Sequence, residues 1–296
     1  MAWYDDFPTM SRGGLRDLKK AIDNGFRAWT REHGDTVETL FDPIKELLIW
    51  SERLLLNSPW PLILIAITAI AWFGSRKLSI TLGTLITLVL IGYFDMWDDT
   101  MRTISMMFVC TLVSIVVGIP IGIAMSKSNF LERVITPVLD VMQTMPGFVY
   151  LIPVVMLLGI GKVPGLLAVV VYAIPPIIRL TNLGIRLVDK EVLEAADAFG
   201  SSSWQRLKNV QIPLAMPTIM AGINQTIMMA LALVVIASMI GVQGLGQPVL
   251  KAIANQYFTL GVFNGLAIVG IAIIFDRVSQ AYGKRLQAHS EVVHGN

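Results

Sequence analysis

The chain has 296 residues, of which 54% are hydrophobic and only 15% are charged, and its formal net charge is +2. Soluble domains carry about 25% charged residues, so this composition excludes an ordinary soluble protein and indicates an all-α polytopic membrane protein. The basic residues are not clustered, which argues against nucleic-acid binding. The single cysteine, Cys110, lies in an apolar run, which excludes a disulfide framework and a cysteine-based metal site.

Residues 1–58 form an N-terminal extension that is too polar to cross a membrane. Apolar side chains recur at helical spacing from Leu15 to Trp29 and again from Ile44 to Leu55, with charged residues between them. We therefore predict two amphipathic helices that lie in the membrane interface. A small cap packed on another subunit is the alternative.

Seven apolar stretches follow, and they form a predicted transmembrane region of residues 59–285 with a short tail, 286–296. A helix needs about 20 residues to cross a bilayer, and most of the stretches approach that length. Asp140, Gln143 and Pro146 interrupt the fourth stretch, which leaves an even number of spans open. The stretches lie near residues 59–74, 78–95, 101–126, 135–160, 163–185, 213–241 and 261–282.

A polar island, residues 189–213, separates the fifth stretch from the sixth. Asp189 is a suitable N-cap for a short helix that runs to Phe199, and Gly200 can adopt the left-handed conformation that ends a helix. Ser202 and Gln205 have the spacing of a capping box, which predicts a second short helix. Pro213 opens the next apolar stretch, where a first-turn proline is tolerated. Two short helices joined by a tight turn are therefore expected at the membrane surface.

The distribution of lysine and arginine predicts an orientation for the spans. When the polar island is placed in the cytoplasm, most of the basic loop residues fall on the same side. The first loop on the other side is acidic, with Asp95, Asp98 and Asp99. We therefore expect the polar island and the C-terminus to be cytoplasmic and the N-terminal extension to be outside.

The motifs of nucleotide-binding and catalytic proteins do not occur in this chain. No G-x-x-x-x-G-K-[ST] run is present, so we expect this chain to hold no ATP, Mg or other cofactor of its own. The three histidines lie in the tails, and neither a catalytic triad nor a metal cluster can be assembled. Gly241, Gly244 and Gly246 predict a tight turn that leads into a short surface helix from Val249 to Ala254.

Uncharged polar residues of the fourth, fifth and sixth stretches are the best candidates for a solute pathway. Ionisable residues there are few, which argues against a proton-coupled transporter. Prolines break the same stretches, and irregular backbone at membrane depth is tolerated where it lines a cavity or is buried in protein. Ordinary helix packing is the alternative role for each residue. The candidate pathway residues are Gln143, Met145, Phe148, Tyr150, Asn182, Asn224, Gln225 and Met228.

The polar island resembles a known loop. Residues 194–213 read EAADAFGSSSWQRLKNVQIP, which is similar to the EAA loop of permease subunits of binding-protein-dependent ABC importers: EAA, three residues, Gly, nine residues, then I-x-L-P. Val210 and Ile212 depart from that pattern conservatively. Runs between Gln143 and Gly283, such as QTMPGFVYLIPVVMLLGIGKVPG and IPLAMPTIMAGINQT, look like the permease of glycine betaine/proline betaine importers.

This resemblance implies a type I ABC importer transmembrane domain that works as a dimer of permease copies. Two ATPase subunits, which bind ATP and Mg, would dock on the EAA loops, and an extracytoplasmic binding protein would deliver the osmolyte. The permease would lie among the lipids of the cytoplasmic membrane of a bacterium or archaeon, with no nucleic-acid partner. The residues implied to couple permease and ATPase are Glu191, Glu194, Ala195, Ala196, Phe199, Gly200 and Pro213.

Two alternatives remain open at this point. The EAA loop by itself does not distinguish a betaine importer from an importer of another small solute, such as an amino acid or a sulfonate. A protein of a different class, an ATP-independent channel or a membrane scaffold, would have neither an ATPase partner nor a need for the loop.

Overall fold

The computed structural model describes the backbone of residues 9–294 and the side chains of residues 9–285, and the chain is almost entirely helical over that range. Short 3-10 segments at Gly147–Tyr150 and Ala237–Ile240 and a π-helical turn at Leu207–Gln211 connect some of the helices. In chain order the helices are α1 (Arg12–Asn57), α2 (Trp60–Ser75), α3 (Leu78–Tyr93), α4 (Trp97–Lys127), α5 (Asn129–Thr144), α6 (Leu151–Leu158), α7 (Lys162–Arg186), α8 (Lys190–Ala198), α9 (Ser203–Arg206), α10 (Ile212–Ile236), α11 (Gly246–Asn255) and α12 (Phe258–His294).

The core of the fold is the packing of α7 between α4 and α10. Of the long apolar helices, α7 is the most deeply buried. Glycines on α4 let the two backbones approach: a Cβ atom at Gly118 would lie 2.5 Å from Ile177 Cγ2, and one at Gly122 would lie 2.7 Å from the Ile178 carbonyl oxygen. Any larger residue at either position would push α4 away from α7.

The N-terminal extension contains one long helix, so the prediction of two amphipathic helices is wrong. α1 continues through Pro43, because a proline in a helix removes one backbone donor and bends the helix without having to end it. At Ser58 the chain turns into α2, and the two helices meet at 112°. Near its C-terminal end α1 packs on α4, where the Ser105 hydroxyl donates to the Leu48 carbonyl at 3.5 Å. The location of α1 in the membrane interface stays a prediction.

The predicted fourth stretch consists of two helices, α5 and α6, which lie at 110° to each other. The break follows from Pro146: the residue before a proline is restricted to extended backbone, and Met145 has φ −70° and ψ 133°. The seven predicted stretches therefore correspond to α2, α3, α4, the bent α5–α6 pair, α7, α10 and α12. Over the described residues, four helices are long and apolar enough to span a membrane, or six if each bent pair counts as one span.

The glycine-rich turn and the surface helix after α10 form as expected. Gly241 and Gly244 both have positive φ, 86° and 141°. The Leu245 backbone N–H donates to the Thr103 hydroxyl at 2.9 Å, which ties this turn to α4. α11 begins at Gly246, three residues before its predicted start, and ends at Asn255.

Candidate functional site

The EAA loop, residues 189–213, contains the predicted pair of short helices, and its caps are confirmed. The Asp189 carboxylate accepts a hydrogen bond from the Glu191 N–H at 2.9 Å and caps α8. Ser202 and Gln205 exchange both hydrogen bonds of the capping box at the start of α9. Between the helices Gly200 has φ +77°, the left-handed conformation in which a residue without Cβ is favoured.

Backbone hydrogen bonds close the turn at Gly200. The Ser201 N–H donates to the Ala196 carbonyl at 3.1 Å, and the Gly200 N–H donates to the Asp197 carbonyl at 2.9 Å. This pair of bonds is the Schellman arrangement, which satisfies carbonyls at a helix end. Arg206 Nη1 also donates to the Asp197 carboxylate at 2.5 Å, so a side-chain ion pair joins α8 to α9. The bend between the helices is therefore held by backbone and side chains together.

The second short helix does not stop before Pro213. The prediction that it is separate from the helix that follows is therefore wrong. α9 passes through the π-helical turn and continues as α10, where Pro213 is the second residue. Pro213 has no N–H, and the Ile212 N–H bonds to the Leu207 carbonyl, five residues back. Such a wider turn accommodates a proline ring within a continuous helix. A displacement of α9 is consequently transmitted to α10 through helical backbone.

Side-chain contacts fix the base of the loop to the transmembrane core. Leu207 is buried and belongs to a cluster with Met125 of α4 and Ile178 of α7. Lys127, the last residue of α4, donates to the Gln211 side-chain carbonyl at 2.5 Å. These contacts leave α8 and the start of α9 as the part of the loop that projects from the body.

Aromatic side chains on the projecting part of the loop are strongly exposed. Phe199 is 92% exposed and Trp204 is 68% exposed, and they lie on either side of Gly200. Large apolar groups are thus left exposed on an otherwise polar loop, and such exposed apolar surface is found at protein and membrane interaction sites. Of the other residues implied in coupling, Ala196 is half-buried, and the exposed ones are Glu191, Glu194, Ala195 and Pro213.

Two groups of polar side chains join α5 to α7. Nearer the EAA loop, Arg186 lies 3.1 Å from the Glu132 carboxylate and donates to the Met125 carbonyl at 2.9 Å. About two turns further from the EAA loop along α7, Arg179 forms an ion pair with Asp140. Neither pair was predicted from the sequence, although a signal was present: two acidic residues eight apart on α5 face two arginines seven apart on α7, and both spacings are close to two helical turns.

Asn182, a candidate pathway residue, belongs to the first of these groups. Its amide donates to Glu132 at 2.9 Å and its carbonyl accepts from Arg186 Nε at 3.0 Å. Asn182 is only 8% exposed, and its hydrogen-bonding groups are engaged by one residue of α5 and one of its own helix. This placement favours the packing alternative for Asn182.

Loss of the Arg186 side chain is expected to destabilise the protein. Arg186→Ala should lower the midpoint of thermal unfolding in detergent by roughly 3–8 °C, because it removes several charge-assisted hydrogen bonds and about 1 kcal/mol shifts Tm by a few degrees in a chain of this size. Arg133→Ala is the matched control, since Arg133 is exposed and its Nε donates only to a carbonyl of its own helix. Equal unfolding midpoints for the two variants would contradict this role.

The remaining pathway candidates fall into two places. Around the α5–α6 bend, Gln143 and Phe148 are exposed and Met145 is half-buried, whereas Tyr150 is buried and its hydroxyl donates to the Met142 carbonyl. On α10, Gln225 is exposed and Met228 is half-buried.

Asn224 connects α10 to α12. Its amide donates to the Asp276 carboxylate at 3.0 Å, and its carbonyl accepts from the Ser279 hydroxyl. A cavity of about 300 Å³ lies beside these side chains, with Pro217, Met220 and Lys284 also on its wall. In the part of the chain that the structure describes, no three His, Cys, Asp or Glu side chains come together as metal ligands would.

Comparisons with known proteins identify the family of the chain. Residues 114–288 match the family model of the binding-protein-dependent transport system inner membrane component. The chain is 47% identical over 232 residues to the glycine betaine/carnitine transport permease protein GbuB of Listeria monocytogenes, covering 78% of this chain and 82% of the relative. It is 45% identical over 265 residues to the glycine betaine/proline betaine transport system permease protein ProW of Escherichia coli, covering 87% of this chain and 75% of the relative.

A solved structure supports the fold. An inward-facing structure of the MetNI methionine ABC transporter aligns with a TM-score of 0.57 at 19% identity and covers 62% of this chain and 93% of that chain. This likeness concerns the fold: the helices of this chain are arranged as in that transporter. This chain therefore belongs to the binding-protein-dependent transport system inner membrane components, as a permease with the type I ABC importer fold whose ATP hydrolysis is carried out by a separate subunit.

Proposed function

We propose that this chain is the permease of an ATP-driven importer of quaternary-amine osmoprotectants such as glycine betaine or proline betaine. The observation that carries the substrate class is the extensive similarity to two permeases named for glycine betaine transport, which covers at least three quarters of this chain in each case. An importer of another solute within the same family is the principal alternative, and substrate competition separates the two.

The EAA loop couples this permease to its ATPase. The loop faces the cytoplasm in the proposed orientation, two ATPase subunits dock on the loops of two permease copies, and ATP and Mg are bound by those subunits. The exposed Phe199 and Trp204 provide apolar contact area, and the braced bend at Gly200 fixes their relative position. Because α9 is continuous with α10, movement of the ATPase displaces a helix that packs directly on α7.

The solute passes between helices that include α5, α7 and α10. The Asp140–Arg179 pair is partly exposed, with 56% and 34% of the two side chains accessible. Charged groups within transmembrane helices generally face a water-filled cavity or the bundle interior, which supports a position of this side of α5 towards the pathway. Gln143 lies on α5 close to Asp140, and Phe148 follows the bend. Aromatic faces there attract a methyl-rich cation weakly. Weak attraction is suitable for a pathway, because the pathway must also release its solute.

Polar residues on α10 are expected to contribute to this pathway. The double variant Asn224→Leu, Gln225→Leu should lower the rate of betaine uptake by about tenfold. It removes a hydrogen bond to the Asp276 carboxylate, and an increase of about 1.4 kcal/mol in the transport barrier lowers the rate tenfold. Gln243→Leu, which alters an exposed glutamine of the turn before α11, is the control. Unchanged uptake by the double variant would show that these two residues do not contribute to the pathway.

The proposed function is tested by transport in proteoliposomes that contain this permease, its ATPase and its binding protein. We expect ATP-dependent accumulation of radiolabelled glycine betaine that unlabelled proline betaine inhibits and that amino acids and sulfonates leave unchanged. If only an amino acid or a sulfonate inhibited the uptake, that compound class would be the transported solute. Accumulation that does not require ATP would point to a channel and overturn the proposal.

A further inference from the structure

A group of cations lies where the α2–α3 turn meets α12. Arg285 of α12 donates to the carbonyls of Phe73 and Gly74 at 2.8 and 3.3 Å, which holds the end of α12 against the turn. Within residues 9–285, none of these cations forms an ion pair with an aspartate or a glutamate. The cations are Arg76, Lys77, Arg277 and Arg285.

A cavity of about 410 Å³ begins at this group and runs between α3 and α12. Lys77 and Arg277 lie on its wall together with the hydroxyl-bearing Ser79. The rest of its lining is mainly apolar and includes Ile80 and Ile273. The cavity thus combines cationic side chains with an apolar groove. A free inorganic anion would use only the cations and leave the apolar lining unfilled.

The length of this cavity corresponds to one leaflet of a membrane. Lys77 and Thr87, which both line it, are ten residues apart, or about 15 Å along a helix, and half of a bilayer's hydrocarbon core is also about 15 Å. At Thr87 the two helices touch, since a Cβ atom on Gly270 would lie 2.6 Å from Thr87 Cγ2. This contact narrows the groove near the depth at which an acyl chain of one leaflet ends, and a second cavity of about 320 Å³, lined by Leu90 and Leu266, continues between α3 and α12 beyond it.

We infer that this groove binds an anionic phospholipid of the leaflet that faces the cationic loops. Lys77 and Arg277 contact the headgroup phosphate, and an acyl chain lies along Ile80 and Ile273. α3 lies outside the residues that match the family model, so the site is built partly by a helix that precedes the matched region. A second copy of the permease that packed here through the same face would bring a like-charged surface against these cations, which disfavours that occupant.

The test is native mass spectrometry of the full permease released from nanodiscs that contain phosphatidylglycerol or phosphatidylcholine. We expect wild-type protein to retain phosphatidylglycerol selectively. The double variant Lys77→Gln, Arg277→Gln should bind it about 30-fold more weakly, since each cation near a membrane surface contributes about 1 kcal/mol. The control Lys19→Gln, Arg133→Gln removes two exposed cations elsewhere and should retain the lipid.

A second variant tests the groove without changing charge. A Cβ atom at Gly83 would meet no atom within 4 Å, so Gly83→Leu places a side chain in the cavity at little cost to the fold, and it should also lower phosphatidylglycerol retention. Equal retention by wild type, the charge variant and Gly83→Leu would overturn the inference. Two other results would also overturn the inference. Displacement of the lipid by inorganic phosphate at millimolar concentration would show that the cations bind a soluble anion. A crosslink from Gly83→Cys to a second permease would show that the groove is an interface between copies.

Discussion

Replacing Gly200 with valine is expected to reduce ATP-driven uptake by tenfold or more and to abolish stimulation of the ATPase by solute-loaded binding protein. Gly200 has φ +77°, and holding a non-glycine residue in such a conformation costs about 1–3 kcal/mol. A Cβ atom at Gly200 would meet nothing within 4 Å, so the effect comes from the backbone and not from a steric clash. The chain relieves this strain by changing the angle between α8 and α9, which separates Phe199 from Trp204. Uptake and ATPase activity are measured on the same proteoliposomes.

The control for this variant is Gly159→Val. Gly159 also has φ +77°, and a Cβ atom there would likewise meet nothing within 4 Å, but it follows α6 and lies far from the EAA loop in the chain. Gly159 has ψ −158°, in a region essentially restricted to glycine, so valine there imposes at least as much backbone strain, and only Gly200→Val should uncouple transport from ATP hydrolysis. Gly200→Asn should recover much of the activity, because asparagine tolerates the left-handed region better than valine. Full uptake with normal ATPase stimulation in Gly200→Val would contradict the coupling role.

Local features of the EAA loop could be predicted from the sequence because each depends on a few neighbouring residues. The Asp189 cap, the left-handed turn at Gly200 and the Ser202–Gln205 capping box involve residues at most five positions apart. The break at Pro146 is local as well, since proline restricts the residue before it. The continuity of α9 with α10 was not predicted, because a first-turn proline is equally compatible with a new helix and with a widened turn inside an existing one.

Contacts between distant segments account for the features that could not be predicted from the sequence. Glu132 and Arg186 are fifty-four positions apart, and their pairing requires α5 and α7 to lie side by side in one register. The same reason explains the pathway candidates: a polar residue in an apolar stretch is compatible with a solute pathway or with a partner on another helix. Asn182 has such partners on α5 and on its own helix, and Asn224 has them on α12. Helix register, and not residue type, decides between the two roles.

Removing the exposed aromatic side chains of the EAA loop is expected to weaken binding of the ATPase without weakening the fold. Phe199→Ala and Trp204→Ala should each lower the affinity by about 30-fold, because buried aromatic anchors at interfaces commonly contribute 2 kcal/mol or more, roughly 30-fold in Kd. The unfolding temperature of the isolated permease should stay close to that of wild type, since the two side chains are 92% and 68% exposed and surface substitutions change stability by about 0.5 kcal/mol or less. Affinity is measured by surface plasmon resonance of the purified ATPase on immobilised permease.

Phe258→Ala provides the matched control for the aromatic variants. Phe258 is 81% exposed at the start of α12, which is the opposite side of the membrane from the EAA loop in the proposed topology. Its loss should leave ATPase affinity unchanged. Together with Gly200→Val, these variants separate two requirements of coupling: the aromatic variants remove contact area, whereas the glycine variant keeps the area and changes its geometry. Unchanged affinity in both aromatic variants would locate the ATPase contact elsewhere on the permease, and the exposure of Phe199 and Trp204 would then need a different partner.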